Sequence, residues 1–190
     1  MRYAAGHKEA TRQKIVGIAS KRFREEGVEA VGLASVMADA GLTHGGFYAH
    51  FSSKEDLVKA AVEDALDESL IRLAKAAEKG DRPMERFVRV YLSPFHRDNP
   101  GQGCMVAALA AEIARHPVET RNQVDAQVKA YAATFNKWLG GNSEPIAIAL
   151  YGLMAGTLQL ARACTDPGYS NHILESGIAA ALTLVKEHQS

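Results

Sequence analysis

Apolar side chains recur every three to four residues along almost the whole chain, and no stretch alternates apolar with polar positions long enough to suggest a sheet. Ile15, Ile18, Ala19 and Phe23 share one face of a first helix, which Gly27 ends. Leu33, Val36 and Met37 line a short second helix that stops at Gly41, and Thr43 is placed to cap a third from about His44 to His50. Ser52 and Ser53-Lys54-Glu55-Asp56 form a capping signature for a long fourth helix reaching about Lys79, with Leu57, Ala61, Ala65, Leu66 and Leu73 inward. Gly80 closes it, Pro83 opens a fifth that Pro94 interrupts near Ser93, and Asn99–Gly103 reads as a loop. A sixth helix spans Met105 to Arg115 and stops at His116-Pro117. In the seventh, Val124, Val128, Tyr131, Phe135 and Trp138 make a seam packed along its length, ended by Gly140-Gly141. Ser143 caps an eighth helix to about Thr165, and a ninth carries Leu174, Ile178, Ala181 and Val185. The pattern predicts an all-α chain of about nine helices.

Composition removes several classes of function. At 190 residues, with 47% hydrophobic and 23% charged, the chain is of ordinary globular make-up, sized for one domain with an appended module. Cys104 and Cys164 are too few for a disulfide framework. Met1 to Lys14 holds no apolar stretch of the secretory kind, and the longest apolar run, Ile146 to Leu158, falls short of the roughly 18 residues of a membrane span. A soluble cytoplasmic protein without membrane contact is the expectation. No Gly-x-Ser-x-Gly or phosphate-loop motif is present, and no Gly-Lys-Ser/Thr follows the 99–103 loop. Glu112 with His116, and His172 with Glu175, lie three or four apart on helices but lack further ligands nearby in sequence, so they read as helix-end electrostatics. No enzyme activity, catalytic residue, metal or cofactor is expected.

The first 54 residues have another character. Two short helices joined by Gly41-Leu42-Thr43, behind a longer one, have the proportions of a three-helix helix-turn-helix head. Thr11-Arg12-Gln13-Lys14-Ile15, Ala19 and Phe23 are followed by Ala40-Gly41-Leu42-Thr43-His44-Gly45-Gly46-Phe47-Tyr48-Ala49-His50-Phe51 and Ser53-Lys54-Glu55-Asp56-Leu57. In order and spacing these residues resemble the DNA-binding domain of TetR-family transcriptional regulators. Gly32 departs from the family's usual Thr or Ser cap, and Val36-Met37 from its usual Ile-Ala. The resemblance implies a helix-turn-helix domain over residues 1–54, followed over 55–190 by a helical domain for effector binding and dimerisation.

Net charge is zero, which taken whole gives no sign of a nucleic-acid partner. Its distribution does. Residues 1–24 carry seven basic side chains (Arg2, Lys8, Arg12, Lys14, Lys21, Arg22 and Arg24) against Glu9 alone. Over residues 1–60 the balance falls to nine basic against seven acidic, so affinity for DNA at large should be modest. By resemblance Arg12, Ser35 and Lys54 join Thr43, His44, Gly45, Gly46, Tyr48 and His50 at operator DNA. The third helix has no Arg, Lys, Asn or Gln, the commonest bidentate base readers, so DNA shape should carry much of the sequence preference.

Residues 61–190 carry 13 basic and 15 acidic side chains and are not the DNA surface. Gly152 and Gly156, four apart on the eighth helix, suit close helix approach, either within the chain or between two copies. The resemblance implies a homodimer through the last two helices, with Gly152, Gly156, Leu174, Ile178, Ala181 and Val185 at the interface. It also implies a small-molecule effector pocket. The candidate lining is Phe87, Tyr91, Phe95, Cys104 and Tyr131, with Phe135, Trp138, Tyr151 and Met154, residues that equally suit an ordinary core. Cys104, after Gly103 at a helix start, is either a small buried hydrophobe or, as in a subgroup of the family, a thiol that responds to electrophiles. These expectations combine into a ligand-responsive repressor. The alternative is a helical small-molecule carrier or sensor that does not bind DNA.

Overall fold

The computed structural model describes the backbone of residues 5–77 and 81–189, and within them every side chain except those of residues 5, 66–70, 72, 73, 76 and 189. Arg2, Gly80 and the side chains of Leu66 and Leu73 therefore lie outside the described residues. Among those described there are nine α-helices, two 3-10 segments and no strand. They are α1 (Ala5–Glu26), α2 (Leu33–Asp39), η1 (His44–Ala49), α3 (Lys54–Ala77), α4 (Pro83–Tyr91), α5 (Pro94–Asp98) and η2 (Pro100–Gln102). The rest are α6 (Met105–Ile113), α7 (Val118–Trp138), α8 (Glu144–Ala163) and α9 (Pro167–Gln189).

The helix ends follow local chemistry. Gly27 and Gly41 stop α1 and α2 at φ of 87° and 74°, values that favour glycine. At the start of α3, Ser53 Oγ accepts the Asp56 amide at 3.1 Å while the Asp56 carboxylate accepts the Ser52 amide at 2.9 Å, a reciprocal cap. Two expected caps are absent. Thr43 makes no side-chain cap, and Ser143 turns its hydroxyl to His188 instead, while its own amide goes to Asn136 Oδ1. The third element is a 3-10 segment where an α-helix was predicted; six residues containing Gly45-Gly46 have too little helical propensity to propagate α geometry. The short α5, predicted as interruption, starts where Ser93 Oγ accepts the His96 amide at 3.2 Å ahead of Pro94 at the first helical position.

Two apolar cores result. The head core joins Ile15, Ala19, Phe23, Val36, Met37, Phe47 and Phe51 to Leu57, Val58, Ala61, Val62 and Ala65 of α3, and to Met105, Leu109 and Ile113 of α6. By packing, then, the head runs past residue 54. The body core gathers α4, α7, α8 and α9. The α7 seam serves both, since Val124 packs against the head core and Val128 to Trp138 against the body core. Helix α8 as a whole, though not the apolar run Ile146 to Leu158 within it, is long and apolar enough by composition to cross a bilayer. Leu150, Tyr151, Met154 and Leu158 on it are buried among the other helices, as in a core helix.

Candidate functional site

The head exposes a compact polar face built around η1. Phe47 is fully buried and stacks on Phe51 at 5.5 Å, which anchors the segment from beneath. The neighbouring His44, Gly45 and Tyr48 therefore face outward, Tyr48 being 66% exposed and set edge-on to His44 at 6.5 Å. Thr43 is exposed, and Gly46 and His50 are half-buried. A side chain at Gly45 would meet nothing within 4 Å, and one at Gly46 only ordinary contacts with Met37 and Thr43. Internal packing thus does not require either glycine. Arg12 reaches from α1 to lie over the Phe51 ring at 4.9 Å, and Lys54 opens α3 beside it in sequence with Phe51. Ser35 is turned inward on its own helix, donating to the Gly32 carbonyl at 2.8 Å.

Most of the described cations of the N-terminal helix have partners within the protein, at the surface or beneath it. Lys14 Nζ donates to the Ala40 carbonyl at 2.9 Å and so closes the end of α2. Lys21 lies 3.9 Å from Glu25, and Arg22 pairs with both Glu26 and Asp39. Arg24 is buried and donates twice to the Gly101 carbonyl, at 2.6 and 3.1 Å. Among the described cations of that stretch, Lys8 and Arg12 remain for an outside partner. The Lys21–Glu25 and Arg22–Glu26 pairs are local, four residues apart, but sequence position alone could not show that Lys14, Arg22 and Arg24 also find acceptors at residues 40, 39 and 101.

Three polar ties hold the head to the body. Arg24 to Gly101 is one. In the second, the Glu112 carboxylate accepts the amides of Val28 and Glu29, at 3.1 and 2.8 Å, where α1 has just ended. In the third, Glu55 of α3 accepts Thr120 Oγ1 at 2.5 Å and contacts His116 Nδ1 at 2.9 Å. Glu112 and His116 do stand together, with Glu29 added, and their ligating atoms lie within 4.8 Å of one another. Each of the first two is already engaged in a tie. Glu112 has a sequence signal as an acidic residue near a helix end, but its partners lie more than 80 residues away.

The aromatic residues expected to line a pocket form a close-packed cluster. Phe87, Tyr91, Tyr131, Phe135 and Met154 are fully buried and Tyr151 nearly so, with Trp138 packed against them. Tyr131 stacks on Tyr151 at 4.4 Å, and Phe87 meets Phe135 edge-on at 4.9 Å. Phe95 is not among them. It is 65% exposed, because α5 turns it outward and buries His96 instead. Cys104 is fully buried, with Sγ 3.2 Å from the Tyr151 hydroxyl. Burial, with help from Cys104, pushes the Tyr151 hydroxyl far above the ordinary tyrosine range, so it stays protonated. The Cys104 amide donates to His96 Nε2 at 2.9 Å, which makes Nδ1 the donor to the Tyr91 carbonyl at 2.7 Å and fixes a neutral ring.

The two glycines singled out on α8 face outward: a side chain at Gly152 or Gly156 would meet nothing within 4 Å. With Ile148 and Leu160, both exposed, they form a four-residue-spaced apolar stripe. Leu174, Ala181 and Val185 of α9 lie instead inside the protomer, buried against the body core, and Ile178 is half-buried. The close α8–α9 approach is made at Gly177, where any side chain would collide with Thr157.

Comparison with known proteins agrees with this arrangement. Residues 15–61 match the family model of the bacterial regulatory proteins, tetR family. Among curated relatives, the uncharacterized HTH-type transcriptional regulator YfiR of Bacillus subtilis is 35% identical over 72 residues, 38% of this chain and 35% of that protein. The HTH-type transcriptional repressor KstR2 of Mycobacterium tuberculosis is 28% identical over 91 residues, 48% of this chain. That match covers 46% of KstR2, so the chain aligns with less than half the length of these relatives. A TetR transcriptional regulator from Chloroflexus aurantiacus shares the fold over 95% of this chain and 96% of its own, with a TM-score of 0.80 at 22% identity. The helix-turn-helix head is thus similar in sequence to the bacterial regulatory proteins of the tetR family over residues 15–61, and the chain shares over nearly its whole length the fold of a TetR transcriptional regulator.

Proposed function

We propose that the protein is a cytoplasmic, homodimeric DNA-binding transcriptional regulator, a repressor that leaves its operator when a small-molecule effector binds the body. The observation that carries the DNA reading is the η1 face: exposed His44, Gly45 and Tyr48, with backbone left open at both glycines and Arg12 and Lys54 flanking it. That face suits a major groove, its glycines permitting close approach to sugar and phosphate. Arg12 and Lys54 serve as phosphate contacts, Lys54 at the start of a helix whose amides also favour an anion. Thr43 and His50 border the same face; Ser35 reaches it through the backbone it secures at Gly32.

Dimerisation is supported by the outward stripe Ile148, Gly152, Gly156 and Leu160. For the effector, Tyr91, Tyr131, Cys104 and Tyr151 supply polar atoms within an apolar shell, and ligand entry there requires the rings to part. Cys104 in this closed arrangement acts as a packing residue, and an electrophile would reach it only through such an opening.

The test is binding to DNA upstream of the protein's own gene, followed by fluorescence anisotropy against salt. Lys54→Ala should weaken all sites alike, whereas His44→Ala or Tyr48→Ala should leave mismatch penalties unchanged if shape dominates the preference. A sharp loss of discrimination at one base pair on His44 substitution would instead mean direct readout. Absence of any salt-dependent binding would favour the carrier reading.

A further inference from the structure

Outside the aromatic cluster, a cleft of about 730 Å³ opens where the end of α1 meets the body. Its lining includes the α6 alanines Ala107, Ala108 and Ala111 and, near the end of α8, Arg162. Its charges are unequal in kind. Arg97 is matched by Asp98, at 2.7 Å, and also holds Ser170 and Asn171, while Glu25 lies 3.9 Å from Lys21. Arg162 has only carbonyl acceptors, those of Arg97 at 3.1 Å and His96 at 2.8 Å, and its Nη1 has no acceptor. It is largely shielded from water, which lowers its pKa, yet a guanidinium stays charged.

We infer that this head–body cleft binds a small amphipathic monoanion, its carboxylate or equivalent drawn to Arg162 and its apolar part lying on the Ala107–Ala111 face. A neutral ligand would bring no charge to Arg162 Nη1, which has no acceptor and feels Asp98 only through space; a dianion would meet Glu25 and Asp98 as well. A purely polar anion would leave the alanine face wet. The site differs from the aromatic cluster in location and in chemistry, and it does not depend on the DNA-binding reading.

The probe is 4-phenylbutyrate, titrated into the full-length protein carrying methyl-labelled alanine and followed by NMR, with 4-phenylbutanol and 4-phenylbutylamine as controls. The acid should shift the methyls of Ala107, Ala108 and Ala111 and bind at least about tenfold more tightly than the alcohol, the worth of one charge-assisted hydrogen bond. Arg162→Lys, which keeps the charge but loses the planar fork, should weaken the acid and not the alcohol. Ala111→Phe, at an exposed position that leaves every hydrogen bond in place, should block both ligands without loss of fold. Equal affinity for acid and alcohol, undiminished binding to Ala111→Phe, or shifts confined to methyls outside the cleft would each overturn the assignment.

Discussion

Gly45 separates folding from function at the level of one side chain. Its surroundings are open and its backbone is not in the left-handed region, so Gly45→Ala should leave stability within about 1 kcal/mol of the parent, on the favourable side if it moves. DNA affinity should fall all the same, because the added methyl occupies space a close-fitting duplex would need. Urea midpoints and anisotropy titrations on the same preparation measure the two effects. The cysteines offer a second contrast. Cys164 is half-exposed near the end of α8 and Cys104 fully buried against Tyr151. A thiol reagent should therefore label one site promptly in the native protein and the second only on unfolding; two fast equivalents would show that the body core opens readily.

Among the elements, the ties between head and body matter most. Glu112→Ala removes the acceptor for two main-chain amides at the end of α1 and should cost about 1–3 kcal/mol, read as a lowered denaturation midpoint. Ser53→Ala, which removes one half of the α3 cap, should cost about 1 kcal/mol. The two differ in legibility. Ser53 and Asp56 lie three residues apart, and the cap was readable because the geometry is local. The same holds for the glycine stops at 27 and 41 and for the helical spacing throughout. Glu112, Arg24 and Lys14 were not readable in this sense, since their partners sit 26 to 84 residues away and only the tertiary fold brings them together. Phe95 shows the related failure. It belongs to an apolar pattern around Tyr91, but the Ser93-Pro94 start of a new helix rotates it outward. Ser93 ahead of proline was the available signal.

For the molecule as a whole, the zero net charge conceals a small and specific set of cations. With Arg12 and Lys54 as the proposed phosphate contacts and Lys8 as a third cation left for an outside partner, each head would neutralise about three phosphates, and a dimer on two half-sites should show a log–log salt slope of about −5. A slope twice as steep would mean that cations now tied inside α1 are released on binding. The proposed subunit association is separable from folding by the same logic of open and closed glycines. Gly152→Arg places a charge on the outward stripe of α8 and should yield monomers by sedimentation with helicity retained. Gly177→Ala, in the closed α8–α9 contact, should destabilise the protomer by about 1–3 kcal/mol.

Helix α3 belongs to both cores, with its first three turns in the head and its far end at Ala77 buried in the body. Its 24 residues make a rod of about 36 Å. A change in the body that tilts this rod by about 5° would swing its head end through about 3 Å, roughly one base-pair step. The protein is in this respect geared: motion too small to disturb the packing of Ala77 becomes, at Lys54, a displacement as large as the base-pair repeat of the DNA proposed as its partner. In the proposed dimer the two swings would add, so half-site spacing, more than contact chemistry, would set how little movement suffices for release.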